Sequence, residues 1–153
     1  MRKSEPPEKV PPLFAFFNEI GIIAQLSRTA FEARMPPGMN LPQFSVLNHL
    51  VRVRDGQTPL ALARAFQVPK TTMSHTLAAL AGRDLIRMEP NPEDGRGKLV
   101  WLTDAGRGMR AECIANVAQN MAGLAQGVDM AAIADMLPRL TRLREIMDAN
   151  RDT

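Results

Sequence analysis

A run of small polar side chains lies near the middle of the chain. Hydroxyl, imidazole and ammonium groups occur together at Lys70, Thr71, Thr72, Ser74 and His75. Such groups can donate hydrogen bonds to phosphate oxygens and to base edges in a DNA groove. If the segment is a helix with Met73 buried, steps of 100° per residue define its outer face. That face holds Thr71, Thr72, His75, Ala78 and Ala79, with Ser74 at its edge and Lys70 at the helix start, where free N–H groups suit phosphate.

A second basic cluster lies in a turn between two extended runs. Residues 85–89 and 98–102 resemble strands, and the segment 90–97 between them has the composition of a long hairpin loop. Arg96 and Lys98 lie at or beside its tip, a geometry suited to the minor groove or its phosphates. We expect Asp94 to hold the Arg96 guanidinium in place through a charge-assisted pair. A mobile turn with incidental charge, and a helix whose threonines are only caps, are the simpler alternatives.

Apolar residues spaced by three and four predict the helices that position these side chains. The predicted ranges are 13–34, 42–53, 59–66, 70–83, 104–124 and 129–149. Thr58, Thr103 and Asp129 are the expected N-caps. Pro138 is expected to kink or split the last helix near Leu137, because it removes a backbone hydrogen bond. The side chains expected to face the core are Phe44, Leu47, Leu50 and Val51 in the second helix, Leu60, Ala63 and Phe66 in the third, and Met73, Leu77, Leu80 and Ala81 in the fourth.

Helix, tight break, helix and hairpin follow one another in the order of a winged helix-turn-helix. The predicted fold class is therefore mainly α with a small β-hairpin. Residues 13–150 are expected to form a single domain, with a DNA-binding lobe at 41–103 and dimerisation helices at 13–35 and 104–150. Residues 1–12, which hold four prolines, are expected to be a disordered tail.

The terminal helices carry more apolar surface than the lobe can cover, which predicts a homodimer. Two recognition helices would then read half-sites about 10 base pairs apart in a pseudo-palindromic operator. The charge distribution agrees with a nucleic-acid partner. The net charge is only +3, but residues 41–103 hold eight Lys/Arg against five Asp/Glu, and the rest of the chain holds eleven of each.

The segments Leu85-Ile86, Asp94-x-Arg96 and Leu102-Thr103-Asp104-x-Gly106 resemble the wing signature of MarR-type regulators, and the likeness in layout runs from about residue 13 to 150. The resemblance implies a homodimeric transcription regulator, acting as a repressor, often released from DNA by a small aromatic ligand. It implies DNA contacts at Lys70, Thr71, Thr72, Ser74 and His75, and wing contacts at Asp94 and Arg96. Position 75 is often arginine in such helices, and histidine supplies less charge at neutral pH.

Other functional classes find little support in the sequence. The chain has no Walker loop, HExxH, GxSxG or CxxC motif, so no enzyme, metal site or cofactor is expected. Cys113, the single cysteine, is expected to be a buried small hydrophobe rather than a redox sensor. With no disulfide, signal peptide or membrane span expected, a cytoplasmic location is predicted. A winged-helix protein–protein adaptor remains the alternative, although it would not need Arg96 oriented by Asp94.

A ligand pocket is a further hypothesis. Aromatic and aliphatic side chains among the first, second and fifth helices, including Phe17 and Ile20, could hold an apolar effector that changes the spacing of the recognition helices. Ordinary core packing explains the same residues.

Overall fold

The computed structural model of the chain describes residues 9–151. In order, its elements are α1 (Pro12–Glu32), α2 (Leu41–Arg52), α3 (Pro59–Phe66), α4 (Lys70–Gly82), β1 (Ile86–Pro90), β2 (Lys98–Leu102), α5 (Asp104–Ala125) and α6 (Met130–Ala149). The expected fold class, mainly α with one small hairpin, is confirmed. Of the expected tail, residues 1–8 lie outside the described residues, and α1 begins inside the remainder at Pro12.

Local capping interactions set where the helices begin. Thr58 Oγ1 accepts the Ala61 N–H at 3.1 Å, and Asp129 Oδ1 accepts those of Ala131 and Ala132 at 3.0 and 3.2 Å. Thr103 Oγ1 accepts the Gly106 N–H at 3.0 Å. These three caps confirm the sequence prediction, since each satisfies N–H groups that the first helical turn leaves unpaired.

The hairpin is joined by a third short piece of chain. β1 and β2 pair antiparallel from Ile86 opposite Leu102 to Pro90 opposite Lys98. On the other edge of β2, Val100 forms an isolated bridge with Gln57, in the connection between α2 and α3. The wing is therefore hydrogen-bonded to the helix-turn-helix as well as following it in the chain.

The core corrects two details of the predicted helix faces. Val51 and Leu60 were expected to face inward, but 38% of each is exposed. Val46 and Leu62 are buried instead, at 1% and 0% exposure. The expected positions on α4 are confirmed, because Met73, Leu77 and Leu80 are all at most 3% exposed, and Ala81 packs against the core.

The chain divides into two compact units, one ending at Val117 and the other beginning at Ala118. The second unit contains α6, which runs through Pro138 as one helix, so of the kink or split predicted near Leu137 the split is absent. Within the described residues, no helix combines the length and the apolar character needed to cross a bilayer.

Candidate nucleic-acid interface

The outward face of α4 consists of small and polar side chains. The helix buries Met73, Leu77 and Leu80, and this burial fixes which side faces outward. Every residue that the sequence assigned to the outer face is exposed: Lys70, Thr71, Thr72, Ser74, His75, Ala78 and Ala79. Exposed hydroxyls followed by exposed alanines leave this face of the helix slim enough to enter a major groove.

A sharp turn places α4 against α3. Gln67 ends α3 in the left-handed conformation, with φ of 52°, and its N–H bonds to the carbonyls of Ala63 and Arg64. The Val68 N–H also bonds to Ala63 O at 3.0 Å, and α4 starts after Pro69. The turn therefore uses the free carbonyls at the end of α3, as helix C-caps commonly do.

The wing tip is a hydrogen-bonded loop. Asn91 N–H donates to Gly97 O at 3.0 Å, and Gly97 N–H donates to Asp94 O at 2.9 Å. Asn91 Oδ1 also accepts the Glu93 N–H at 3.0 Å. These bonds give the loop a defined shape.

Asp94 does not act as the sequence predicted. Its Oδ1 accepts the backbone N–H of Arg96 at 3.1 Å, and no ion pair joins it to the Arg96 guanidinium within the range 9–151 that the structure describes. The carboxylate therefore fixes the backbone that carries Arg96, and the exposed guanidinium is left facing solvent. The spacing of two residues that suggested a side-chain pair is also the spacing of an Asx-turn.

The structure brings the predicted wing residues together with the start of α3. Asp94, Arg96 and Lys98 line an open groove of about 410 Å³ with Thr58, Pro59, Leu60, Met88, Asn91 and Gly97. The exposed side chains of α4 do not line this groove. Leu60 was missed as a groove residue because its spacing from Ala63 suggested an inward face.

Two groups near the core have altered chemistry. Burial raises the pKa of the Cys113 thiol, with Glu112 adding to the effect, and the side chain is fully buried as predicted. Burial also lowers the pKa of His49, an effect that the neighbouring Gln57 side chain opposes and the charge of Arg52 reinforces. The His49 ring lies 5.2 Å from that of Phe66, and its Nε2 is buried without a hydrogen-bond partner among the described residues. Neither group points to catalysis.

The residues of the hypothetical ligand pocket lie on α1. Phe17 is 37% exposed and Ile20 is half-buried. The Phe17 ring lies edge-on to Phe16, with 5.6 Å between the ring centroids. A pocket at these residues stays a prediction.

Comparison with known proteins identifies the helix-turn-helix and wing. Residues 38–97 match the model of the MarR family. Over 78 residues the chain is 33% identical to the transcriptional regulator HosA of Escherichia coli O111:H-, a stretch that makes up 51% of this chain and 57% of HosA. This part of the chain is similar to MarR-family proteins. The aligned stretch of 78 residues spans little more than half the length of HosA.

Solved MarR-family structures share the fold over most of the chain. Wild-type MarR from E. coli in its apo form has a TM-score of 0.73 and 23% identity, covering 89% of this chain and 98% of MarR. A cysteine-to-serine mutant of the same E. coli protein, solved in complex with operator DNA, has a TM-score of 0.67 and 22% identity, covering 86% and 94%. CouR from Rhodococcus jostii RHA1, solved bound to p-coumaroyl-CoA, has a TM-score of 0.65 and 19% identity, covering 82% and 88%.

Proposed function

We propose that this chain is a MarR-type, sequence-specific regulator of transcription that binds duplex DNA. The observation that carries the proposal is the outer face of α4. It presents exposed hydroxyls, an imidazole and alanines from a helix whose other side is locked into the core. Lys70, Thr71, Thr72, Ser74 and His75 are the proposed contacts in the major groove and to the adjacent phosphates. The E. coli MarR mutant of the same fold was solved on operator DNA, which supports this assignment.

In this proposal the wing contacts DNA beside the recognition helix. Arg96 and Lys98 are exposed, and the Asp94 carboxylate that was expected to hold the Arg96 guanidinium bonds to its backbone instead. An exposed guanidinium on a shaped loop can enter the minor groove or bind its phosphates. Asp94 is assigned to the wing as the residue that shapes this loop. The adaptor alternative is not favoured, because residues 38–97, which match the family model, include both α4 and the wing loop.

We also propose that the functional unit is a homodimer that represses transcription in the cytoplasm. Neither α1 nor α6 contains a buried residue. On α1 the exposed apolar side chains include Phe14, Ile23 and Leu26, at 60%, 61% and 67%. On α6 they include Leu137 and Met147, at 57% and 53%. Apolar side chains left so open are typical of surfaces that a second copy covers, and an obligate dimer would bury about 2,000 Å² or more.

The dimer is testable through one of the exposed apolar residues of α1. Leu26→Glu places a charge among the exposed apolar side chains of α1 and is expected to give a monomer in light scattering. Val53→Glu is the matched control, because Val53 is also an exposed apolar residue, at 54%, but follows α2. A wild-type protein that is monomeric at micromolar concentration would contradict the dimer.

The deciding experiment for function is selection of bound duplexes from a random-sequence pool by the full chain. We expect enrichment of a pseudo-palindrome with half-sites about 10 base pairs apart, because the two recognition helices of a dimer enter successive turns of the major groove. The absence of any enriched duplex at low salt would refute DNA recognition, since low salt favours protein–DNA association.

We further propose that a small aromatic molecule releases the protein from its operator. The proposal draws on CouR, whose structure of the same fold holds p-coumaroyl-CoA, and on Phe17 and Ile20 as apolar side chains of the predicted pocket. Aromatic acids titrated into the protein–operator complex should weaken it through a coupling of about 1–3 kcal/mol. Unchanged operator affinity with every acid would remove the effector from the mechanism.

A further inference from the structure

Asp55 joins three parts of the fold through one side chain. It lies in the connection between α2 and α3. Its Oδ1 accepts the N–H of Gly56 at 3.0 Å and that of Leu102, at the end of β2, at 2.9 Å. Its Oδ2 lies 3.5 Å from Nη2 of Arg107, on α5. A single carboxylate therefore links the helix-turn-helix to the wing and to the long helix that follows it.

The Leu102 N–H needs this acceptor because of the sheet's geometry. Alternate N–H groups of a strand point to opposite edges, and those of Val100 and Leu102 point away from β1. Val100 N–H bonds to Gln57 O at 2.8 Å. Two residues further along β2, the Asp55 side chain takes the place of a backbone carbonyl. Leu102 is only 5% exposed, and an unpaired buried N–H is costly.

The same connection is pressed against the hairpin. Gly56, with φ of 66°, packs so closely on Trp101 that a Cβ atom there would lie 2.5 Å from the indole ring. Gly56 N–H also reaches Val100 O at 3.1 Å. Trp101 is the cross-strand neighbour of Arg87, whose guanidinium lies 5.9 Å from the centre of the ring. The base of the wing therefore packs directly on the connection between α2 and α3, and the Asp55 carboxylate is the charged group in that contact.

We propose that Asp55 is a positioning residue that fixes the wing relative to the recognition helix, a role that rests on the proposed DNA-binding function. Asp55 does not contact DNA in this proposal. It holds the end of β2 so that the loop carrying Arg96 reaches DNA at the same time as α4. Loss of the Asp55 carboxylate would leave α4 able to bind while the wing loses its place.

The sign of the effect separates positioning from simple electrostatics. Removing a carboxylate from a DNA-binding surface strengthens binding if charge alone matters, because one repulsion of the phosphates is lost. Positioning predicts weaker binding. Asp55→Asn is the informative change, since it removes the ion pair with Arg107 and weakens the charge-assisted hydrogen bonds from the Gly56 and Leu102 N–H groups. Asp104→Asn is the matched control, because it removes the same charge from an exposed site in the first turn of α5.

The test uses the full chain and the duplex that wild-type protein enriches from the random pool. Asp55→Asn should bind about tenfold more weakly. Its salt dependence should be flatter by about one phosphate contact, as expected for Arg96→Ala. In the Arg96→Ala background, Asp55→Asn should have less than about a twofold further effect, because the contact it positions is already absent. Asp104→Asn should bind as tightly as wild type or slightly more tightly.

Two outcomes overturn the inference while leaving DNA binding intact. One is Asp55→Asn affinity equal to or above that of wild type, and the other is a loss that adds fully to that of Arg96→Ala. Asp55→Glu, which keeps the charge but displaces the carboxylate by one methylene, provides a second variant should Asp55→Asn not fold, and it should also weaken binding and flatten the salt dependence. If wild-type protein retains no duplex, the proposed function itself fails and the inference falls with it.

Discussion

Gly106 lies where α5 passes close to the base of the wing, and replacing it with alanine should destabilise the protein. A Cβ atom at this position would lie 2.0 Å from Leu85 O, 2.8 Å from Leu102 Cδ1 and 3.0 Å from the Leu85 carbonyl carbon. Carbon and oxygen atoms that are not bonded pack at roughly 3.3 Å or more. The helix or the strand must therefore move by about 1 Å to admit one methyl group.

That movement would disturb the hydrogen bonds at the junction. Leu85 O accepts the Thr103 N–H at 3.2 Å, and Asp84 O accepts the Thr103 hydroxyl at 2.6 Å. Overpacking of this kind costs about 1–3 kcal/mol, and each weakened hydrogen bond costs about 1 kcal/mol. Alanine recovers about 1 kcal/mol through its helix propensity. The net loss in the free energy of unfolding should be about 2–3 kcal/mol.

Urea unfolding followed by the fluorescence of Trp101 measures this loss, with protein concentration held constant because a dimer's stability depends on it. Gly108→Ala is the matched control, since Gly108 lies on the same helix with no atom within 4 Å of its would-be Cβ. It should be about 0.5–1 kcal/mol more stable than wild type. Equal or greater stability of Gly106→Ala than of wild type would refute the close contact between α5 and Leu85.

Three further predictions concern the wing, a buried histidine and a turn. Arg96→Ala should weaken operator binding strongly and reduce the salt dependence of the affinity by about one phosphate contact. Arg139→Ala, which removes the same charge from α6, should do neither. Equal salt dependences of the two variants in a filter-binding series would show that the wing does not contact DNA. Because burial lowers the pKa of folded His49 below 6.5, the unfolded chain binds more protons, so stability should fall as pH drops below 6.5. Urea titrations at several pH values should show a smaller loss of unfolding free energy on acidification for His49→Gln than for wild type. Identical pH profiles would show that His49 is not the cause of the loss. Gln67→Gly relieves a φ of 52° and should raise stability by up to about 1 kcal/mol, and a lower thermal midpoint would argue against strain there.

The fold and the outer face of α4 were predictable because their signals are local. Thr58, Thr103 and Asp129 mark helix starts through caps that reach only three residues along the chain. The burial of Met73 and Leu77 on one side of α4 decides which residues face outward on the other. The identity of the DNA contacts and of any effector was not decided in the same way, because both depend on molecules outside the chain.

The sequence by itself determined the order of elements, the caps and the polar face of α4, because each depends on residues within a few positions of one another. Only the tertiary structure decided that Leu62 rather than Leu60 is buried, since both are apolar and the surrounding helices choose between them. It also decided that Asp55 bonds to Leu102, 47 residues away, and that Gly106 touches Leu85. Contacts between distant segments leave no periodic pattern in the sequence, because they depend on how whole elements pack.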